Sequence, residues 1–121
     1  MNKEMLLELA DRIEESETYS QSDYYTWCRA PACIAGHCVT MHPEFVEFVE
    51  EAYCICEGSY QHIRILARKM LELEKNQAAK LFRAYPPGPV NSHTPVTNAT
   101  AARVLRRLAK TGQVEWEGED E

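Results

Sequence analysis

Cysteine and histidine are concentrated between residues 28 and 42, where three cysteines and two histidines occur. Cys33 and His37 are four residues apart, so on a helix they would share one face and could hold a metal ion together. Cys28 could add a ligand from the preceding turn, whereas Cys38 would point about 100° away from His37. If the chain binds zinc, we expect Cys28, Cys33 and His37 as ligands. The simpler interpretation is that the cysteines pack as small apolar side chains, with no metal and no other cofactor.

Cys33 and His37 could also act together as a nucleophile and its base. Cys33 would stand at the start of a helix with His37 one turn later, and a helix N-terminus or a nearby base can lower the pKa of a thiol. However, the sequence contains no orienting Asn or Asp, no oxyanion-donor pattern and no nucleophile elbow. It also lacks the GxGxxG, GxxxxGK[ST] and HExxH motifs of dinucleotide, phosphate-loop and zinc-protease chemistry. We therefore expect a protein that is not an enzyme.

A second candidate site consists of positively charged side chains near the C-terminus. Four of them share the polar side of the last predicted helix: Arg103, Arg106, Arg107 and Lys110. The segment 100–114 also resembles the recognition helix and wing entry of winged helix-turn-helix proteins, which makes a nucleic acid an alternative partner. The wing would then be residues 115–121, whose five acidic side chains would repel phosphate.

Charge is segregated along the chain, which has 121 residues and a formal net charge of −6. Residues 1–60 contain twelve acidic and three basic side chains, residues 61–114 contain two acidic and ten basic ones, and residues 115–121 contain five acidic ones. The basic segment 61–114 could bind a nucleic acid. The simpler interpretation is that the oppositely charged halves pair with each other inside the fold.

Apolar residues recur at helical spacing along most of the sequence. Between residues 43 and 57, for example, one helical side would contain Phe45, Val49, Tyr53 and Cys56. No stretch is convincing as a strand. The predicted helices cover about residues 4–15, 32–41, 43–57, 59–73, 77–84 and 94–112. We therefore predict an all-α fold, a single compact domain of five or six short helices.

Residues with special backbone preferences mark the boundaries of these predicted helices. Pro43 suits a first helical turn, Gly58 would end that helix, and Ser59 could cap the next one. A loop is predicted over residues 85–93, after which the pair 94–95 (Thr-Pro) would begin the last helix and Gly112 would end it. The domain would occupy residues 1–116, followed by an acidic tail over residues 117–121.

Two further features concern packing. Gly36 lies inside the predicted helix over residues 32–41, where glycine costs about 1 kcal/mol relative to alanine. We therefore expect a neighbouring helix to approach Gly36 closely. Beyond the last helix, we expect Val114 or Trp116 to fold back onto the core.

The segment around Cys33 resembles a family of small helical proteins of bacterial and phage genomes, which contain a Trp-Cys-x4-Cys-Ile-Ala-Gly-His motif after an aromatic–Asp segment. Asp23, Trp27, Cys28 and residues 32–37 match that pattern, and the likeness extends over most of residues 5–116. The resemblance implies one helical domain. It provides no catalytic or binding residue. The position of His37 can hold a bulky aromatic side chain in that family, which argues against both a metal-binding and a catalytic role for His37.

The sequence therefore predicts a non-enzymatic interaction or regulatory module that binds a protein partner, as an accessory protein of a phage or mobile element would. One alternative is a nucleic-acid-binding domain that uses residues 61–114, and another is a zinc-binding module. The first residues carry acids where a signal peptide would be apolar, and no apolar run approaches the roughly 20 residues that span a bilayer. With an odd number of cysteines as well, these features predict a cytoplasmic protein without a membrane partner. The sequence does not specify an oligomeric state.

Overall fold

Five helices and one three-stranded antiparallel sheet form the fold in residues 1–26, 29–83 and 96–116, the part of the chain that the computed structural model describes. In chain order the elements are α1 (Lys3–Glu15), α2 (Ile34–Val39), β1 (Phe45–Val49), β2 (Tyr53–Cys56), β3 (Ser59–His62), α3 (Ile63–Leu71), α4 (Lys75–Leu81) and α5 (Asn98–Thr111). The strand order is β1-β2-β3. The prediction of an all-α fold is therefore wrong, because the protein is mixed α and β.

The error lies between residues 43 and 62. The helix predicted over residues 43–57 is replaced by β1 and β2, and Ser59 begins β3 instead of capping a helix. Gly58 does not end a helix. It forms a two-residue hairpin turn with Glu57, and both have left-handed backbones, with φ values of 79° and 55°. Two consecutive residues with positive φ are typical of the tight turn that matches the twist of two antiparallel strands. The aromatic and β-branched residues of this region then pack well on a pleated surface.

The inner face of the sheet joins the hydrophobic core. Phe48 lies opposite Cys54, Cys54 lies opposite Gln61, and Phe45 lies opposite Cys56. Phe48, Cys54 and Cys56 are buried. The ring of Tyr25 stacks on Phe48 with 4.8 Å between ring centroids, so the loop before α2 closes over this end of the sheet.

Helices α1 and α5 pack against each other although they lie far apart in the sequence. Their inward positions are apolar, as the periodicity predicts: Leu6, Leu9, Ile13, Ala101, Val104, Leu105 and Leu108. Asn98, in the first turn of α5, donates from Nδ2 to the carbonyl oxygens of Ile13 (2.8 Å) and Ser16 (2.7 Å). The last carbonyl groups of a helix have no hydrogen-bond donor within the helix, so Asn98 supplies this donor at the C-terminus of α1.

The boundaries of α5 agree only in part with the prediction. Gly112 follows the helix in a left-handed conformation, with φ of 78°, as expected for a helix-ending glycine. At the other end the capping residue is Thr97, whose side chain accepts the N–H of Thr100 at 3.1 Å. The predicted start at residues 94–95, the loop over residues 85–93 and the tail over residues 117–121 lie outside the described residues.

Helix α2 is the most deeply buried helix of the domain, and all six of its residues are inaccessible or nearly so. A Cβ atom added to Gly36 would lie 1.9 Å from the carbonyl oxygen of Tyr24. The predicted close approach to Gly36 is confirmed. The approaching segment is the loop before α2, however, and not a neighbouring helix.

The chain folds back after α5, as predicted. Trp116 is 3% exposed, and its Nε1 donates to the carbonyl oxygen of Lys80 at 2.8 Å. Gln77 makes a second link by donating from Nε2 to the carbonyl oxygen of Gly112 at 2.9 Å. These two bonds fasten the C-terminal segment to α4. Of the helices described, none has the length and apolar character needed to cross a membrane.

Candidate functional site

The buried side chain of Cys33 caps the N-terminus of α2. Its Sγ accepts the N–H of Gly36 at 3.4 Å, and only 7% of the residue is exposed. Burial raises the pKa of the Cys33 thiol to about 11, although hydrogen bonds from the helix start and the charge of Arg64 act in the opposite direction. The thiol is therefore protonated at neutral pH, whereas a nucleophile or a metal ligand requires the thiolate. Cys28, the other predicted sulfur ligand, lies outside the described residues.

Both ring nitrogens of His37 are engaged by protein atoms. Nδ1 lies 2.9 Å from the carbonyl oxygen of Cys33, and Nε2 lies 2.8 Å from Oγ of Ser16. A carbonyl can only accept, so Nδ1 carries the proton and Nε2 accepts the hydroxyl proton of Ser16. Burial lowers the pKa of His37, which is therefore neutral at pH 7. A metal ion at Nε2 would have to displace Ser16, and this arrangement supports a structural role for His37.

The remaining described cysteines face the core. Cys38, Cys54 and Cys56 are buried free thiols. The Sγ of Cys38 lies 3.9 Å from the carbonyl oxygen of Ala67, which is a weak contact. Burial raises the pKa of Cys38 to about 12 and that of Cys54 to about 11. These surroundings support packing as their role.

The basic side chains of α5 are largely occupied within the fold. Arg106 donates from Nη2 to Asp11 (2.8 Å) and, through both terminal nitrogens, to the carboxylate of Glu14 (3.0 Å each). Arg107 lies 3.9 Å from a carboxylate oxygen of Glu115. Arg106 thus links α5 to two acids of α1, which agrees with the pairing of oppositely charged segments that the charge segregation suggests.

The other two members of the predicted basic site differ from each other. Arg103 donates to the carbonyl oxygens of Glu115 and Trp116 at 3.5 Å each, so it holds the C-terminal segment. Lys110 is exposed in the last turn of α5. The sequence therefore places the four side chains correctly on one helix, but at least three of them interact within the protein.

A cluster of potential metal ligands that the sequence analysis did not identify lies beside the sheet. One ligand atom each from His42, Glu44 and Glu57 can be found within 4.8 Å of the others. Nδ1 of His42 accepts the N–H of Glu44 at 3.0 Å, so Nε2 carries the ring proton and faces Glu57 Oε1 at 3.0 Å. In that tautomer Nε2 has no lone pair for a metal ion. The cluster instead links the segment before β1 to the hairpin turn.

The outer sheet face is the surface of the sheet turned away from the core. Two rows of side chains cross the three strands on this face: Glu47, Ile55 and Tyr60 in one row, and Val49, Tyr53 and His62 in the next. Tyr60 is 61% exposed and Tyr53 is 40% exposed. Beside them, Val46 occupies an irregularity in the register of β1 and is 64% exposed. Clustered exposed aromatic and aliphatic groups are typical of surfaces that bind a partner.

Negative charge surrounds the outer sheet face. Residues 42–63 contain five glutamates and no lysine or arginine. All five are exposed: Glu44, Glu47, Glu50, Glu51 and Glu57. Arg29 brings one positive charge close to the sheet, because its Nη1 donates to the carbonyl oxygen of Phe48 at 2.9 Å. The five glutamates outnumber this base, so the surface favours a positively charged partner.

Sequence reasoning missed this surface because it assigned residues 43–57 to a helix. A usable signal was Gly58, because glycine is typical of turns and short segments containing Tyr53, Ile55 and Tyr60 lie on either side of it. Asn98 and Ser16, which join α1 to its neighbours, were also missed, since nothing in their spacing identifies partners so distant in sequence.

Comparison of the whole chain with known proteins adds no assignment: no protein family, no curated protein and no solved structure matches it.

Proposed function

We propose that the protein binds a short, positively charged segment of another protein through the outer sheet face. The observation that carries this proposal is the exposure of Tyr53, Tyr60 and Val46 on a sheet surrounded by five glutamates. Tyrosine supplies a large contact area at a low cost in conformational entropy, and glutamate carboxylates accept bidentate hydrogen bonds from arginine. The partner therefore combines basic with apolar side chains.

Charge also argues against two other occupants of this face. A second copy of the chain would bring its own five glutamates against the first set, and like charges opposed across an interface are costly. Nucleic acid would be repelled for the same reason. The proposed module needs no catalytic group and no cofactor.

The size of the face favours a peptide over a folded domain. Three strands spaced about 4.8 Å apart, each rising about 3.3 Å per residue, present an area on the order of 200 Å². Stable interfaces between folded proteins bury about 800 Å² on each side. A weak, reversible interaction is expected, in which alternate residues of an extended segment contact the tyrosines.

The alternatives from the sequence have less support. Arg106 of the basic segment 61–114 already contacts Asp11 and Glu14, and these acids would also repel a phosphate placed there. For a zinc site, Cys33 is a protonated N-cap residue and His37 has both nitrogens engaged. Among the described residues, no specific observation favours either alternative over peptide binding.

Fluorescence polarisation with defined peptides tests the proposal. The probe is a labelled twelve-residue peptide in which arginine alternates with valine and tyrosine, and the comparison peptides are oligolysine of equal charge and an analogue with glutamate in place of arginine. We expect the alternating peptide to bind best and the acidic analogue not to bind. Tyr60→Ser and Glu47→Lys should both weaken binding.

Leu7→Ser is the matched control, since Leu7 is 46% exposed on α1, away from the sheet. This variant should bind the alternating peptide like the wild type. Absence of binding to the alternating peptide, or equal binding by Tyr60→Ser and the wild type, would contradict the proposal. Binding of duplex DNA that is lost on Arg103→Glu and Arg107→Glu together would favour the nucleic-acid alternative.

A further inference from the structure

A second candidate binding site is a cavity next to the outer sheet face. A cavity of about 380 Å³ opens where the loop after α1, the start of α2, the first turn of α3 and the end of α4 meet. Its size lies within the range of about 300–1,000 Å³ that is typical of small-molecule sites. Elements from four parts of the chain line it, so its shape depends on the complete fold.

Two arginines are among the residues that line this cavity, Arg64 and Arg83. The positive charge of Arg64 acts on two other lining residues, since it lowers the pKa of Tyr24 and of Cys33, although burial outweighs this effect in both. In the part of the chain that the structure describes, neither arginine forms an ion pair with a carboxylate, in contrast to Arg106 on α5. Among the described residues, no carboxylate therefore neutralises either charge.

The other lining groups define what else the ligand would contact. Phe82 and Tyr24 supply aromatic surface, and Cys33 supplies a buried thiol. Asp23 contributes one carboxylate, which already accepts a hydrogen bond from the hydroxyl of Ser20 at 3.3 Å. Two positive charges and one negative charge leave a net positive charge, which suits an anionic ligand.

We infer that this cavity binds a small aromatic anion whose carboxylate or phosphate group is held by Arg64 and Arg83. The planar guanidinium fork matches both groups, because it donates two parallel hydrogen bonds to an oxyanion. The aromatic body of the ligand packs against Phe82 and Tyr24 in an offset or edge-to-face geometry. The cavity adjoins the outer sheet face, because the ring of Tyr24 lies edge-to-face against His62 with 6.4 Å between ring centroids. The two sites would take ligands of opposite charge, so each can be tested with its own probe.

Isothermal titration calorimetry with three probes tests the inference. Benzoate and phenyl phosphate carry the two kinds of oxyanion, and benzyl alcohol has a similar aromatic body without charge. We expect one or both anions to bind at millimolar concentration or below, and benzyl alcohol to bind at least about tenfold more weakly, since it cannot accept charge-assisted hydrogen bonds at an oxyanion. Whichever anion binds more tightly identifies the oxyanion.

Three variants locate the binding. Arg64→Gln and Arg83→Gln should each weaken binding of the preferred anion about tenfold or more, and Lys110→Gln, which removes a positive charge on α5, should leave it unchanged. Arg83 is exposed at the end of α4, so its replacement tests the site even if Arg64→Gln disturbs the fold. The inference is wrong if neither anion binds, if benzyl alcohol binds as well, or if Lys110→Gln has the same effect as the two cavity variants.

Discussion

Nε2 of His37 lies 2.8 Å from the hydroxyl of Ser16, and this bond joins α2 to the residue that ends α1. Both backbone hydrogen-bonding groups of Ser16 also have partners. Its N–H donates to the carbonyl oxygen of Ile13, and its carbonyl oxygen accepts from Asn98. Ser16 therefore contacts α1, α2 and α5 through three different groups. His37, which the sequence indicates as a candidate metal ligand, instead holds two helices together through its hydrogen bond to Ser16.

Protonation of His37 should destabilise the fold in mild acid. In the unfolded chain the imidazole titrates near pH 6.5, whereas burial lowers its pKa in the folded protein. Between these two values the unfolded state binds a proton that the folded state does not. The free energy of unfolding should therefore fall as the pH is lowered through this window, and this contribution should level off below the folded pKa.

Urea denaturation at a series of pH values measures this effect in the wild type and in His37→Gln. The variant should be less stable at pH 7, but its stability should change less between pH 7 and the acid end of the window. Ser16→Ala is a second variant, because it leaves Nε2 without its donor while keeping the imidazole. An identical pH dependence in the wild type and His37→Gln would show that His37 is not the group responsible.

Gly36→Ala should destabilise the protein severely. The added methyl group would lie 1.9 Å from the carbonyl oxygen of Tyr24, which is backbone and cannot rotate away. We expect a loss of at least about 3 kcal/mol, at the upper end of what overpacking costs. Gly58→Ala is the control, since it has open space but φ of 79°, and it should cost about 1–2 kcal/mol. Thermal melts in which Gly36→Ala is the milder change would contradict this account.

Replacement of Cys33 by serine and by alanine should have opposite effects. Sγ of Cys33 accepts the N–H of Gly36 at the start of α2, and a serine hydroxyl is a better acceptor at that position. Cys33→Ser should keep or raise the melting temperature, whereas Cys33→Ala should lose about 0.5–2 kcal/mol with the cap. Interpretation of Cys33 as a purely apolar core residue predicts the reverse order, and differential scanning calorimetry on both variants distinguishes the two.

The contact of Arg106 with Asp11 and Glu14 should be visible as a salt-dependent contribution to stability. All three side chains are substantially exposed, so the effect of Arg106→Gln should be small and should disappear in concentrated salt. Lys110→Gln, one helical turn further along α5, should show no comparable salt dependence. Denaturation curves at low and high ionic strength measure both. If Arg106→Gln had the same effect at every salt concentration, the loss would come from packing of the side chain.

The helices at the two ends of the chain could be predicted because their signals are local. Gly112 and the regular apolar stripe define α5 without reference to the rest of the fold, and the same is true of α1. Gly36 shows the limit of this reasoning. Its cost in a helix predicts a close neighbour, but only the three-dimensional structure identifies that neighbour as Tyr24.

The sheet could not be predicted by the same means. Over a span as short as residues 43–57, apolar residues satisfy helical spacing and strand alternation almost equally well, and the choice depends on pairing with β3. The ionic partners of Arg106 lie more than ninety residues away in the sequence, so they could not be predicted either. The candidate surfaces depend on these long-range contacts, which a local motif such as the one around Cys33 does not reveal.

The packing of α1 against α5 also has a consequence for the order of events during synthesis. Ribosomes add about 5–20 residues per second, so α1 emerges several seconds before the helix that covers it. Until Asn98 and the residues after it have been made, the apolar side chains of Leu6, Leu9 and Ile13 lack the cover that α5 gives them in the finished protein. The nascent chain must therefore pass through a stage in which these apolar side chains lack that cover and can contact chaperones or other nascent chains.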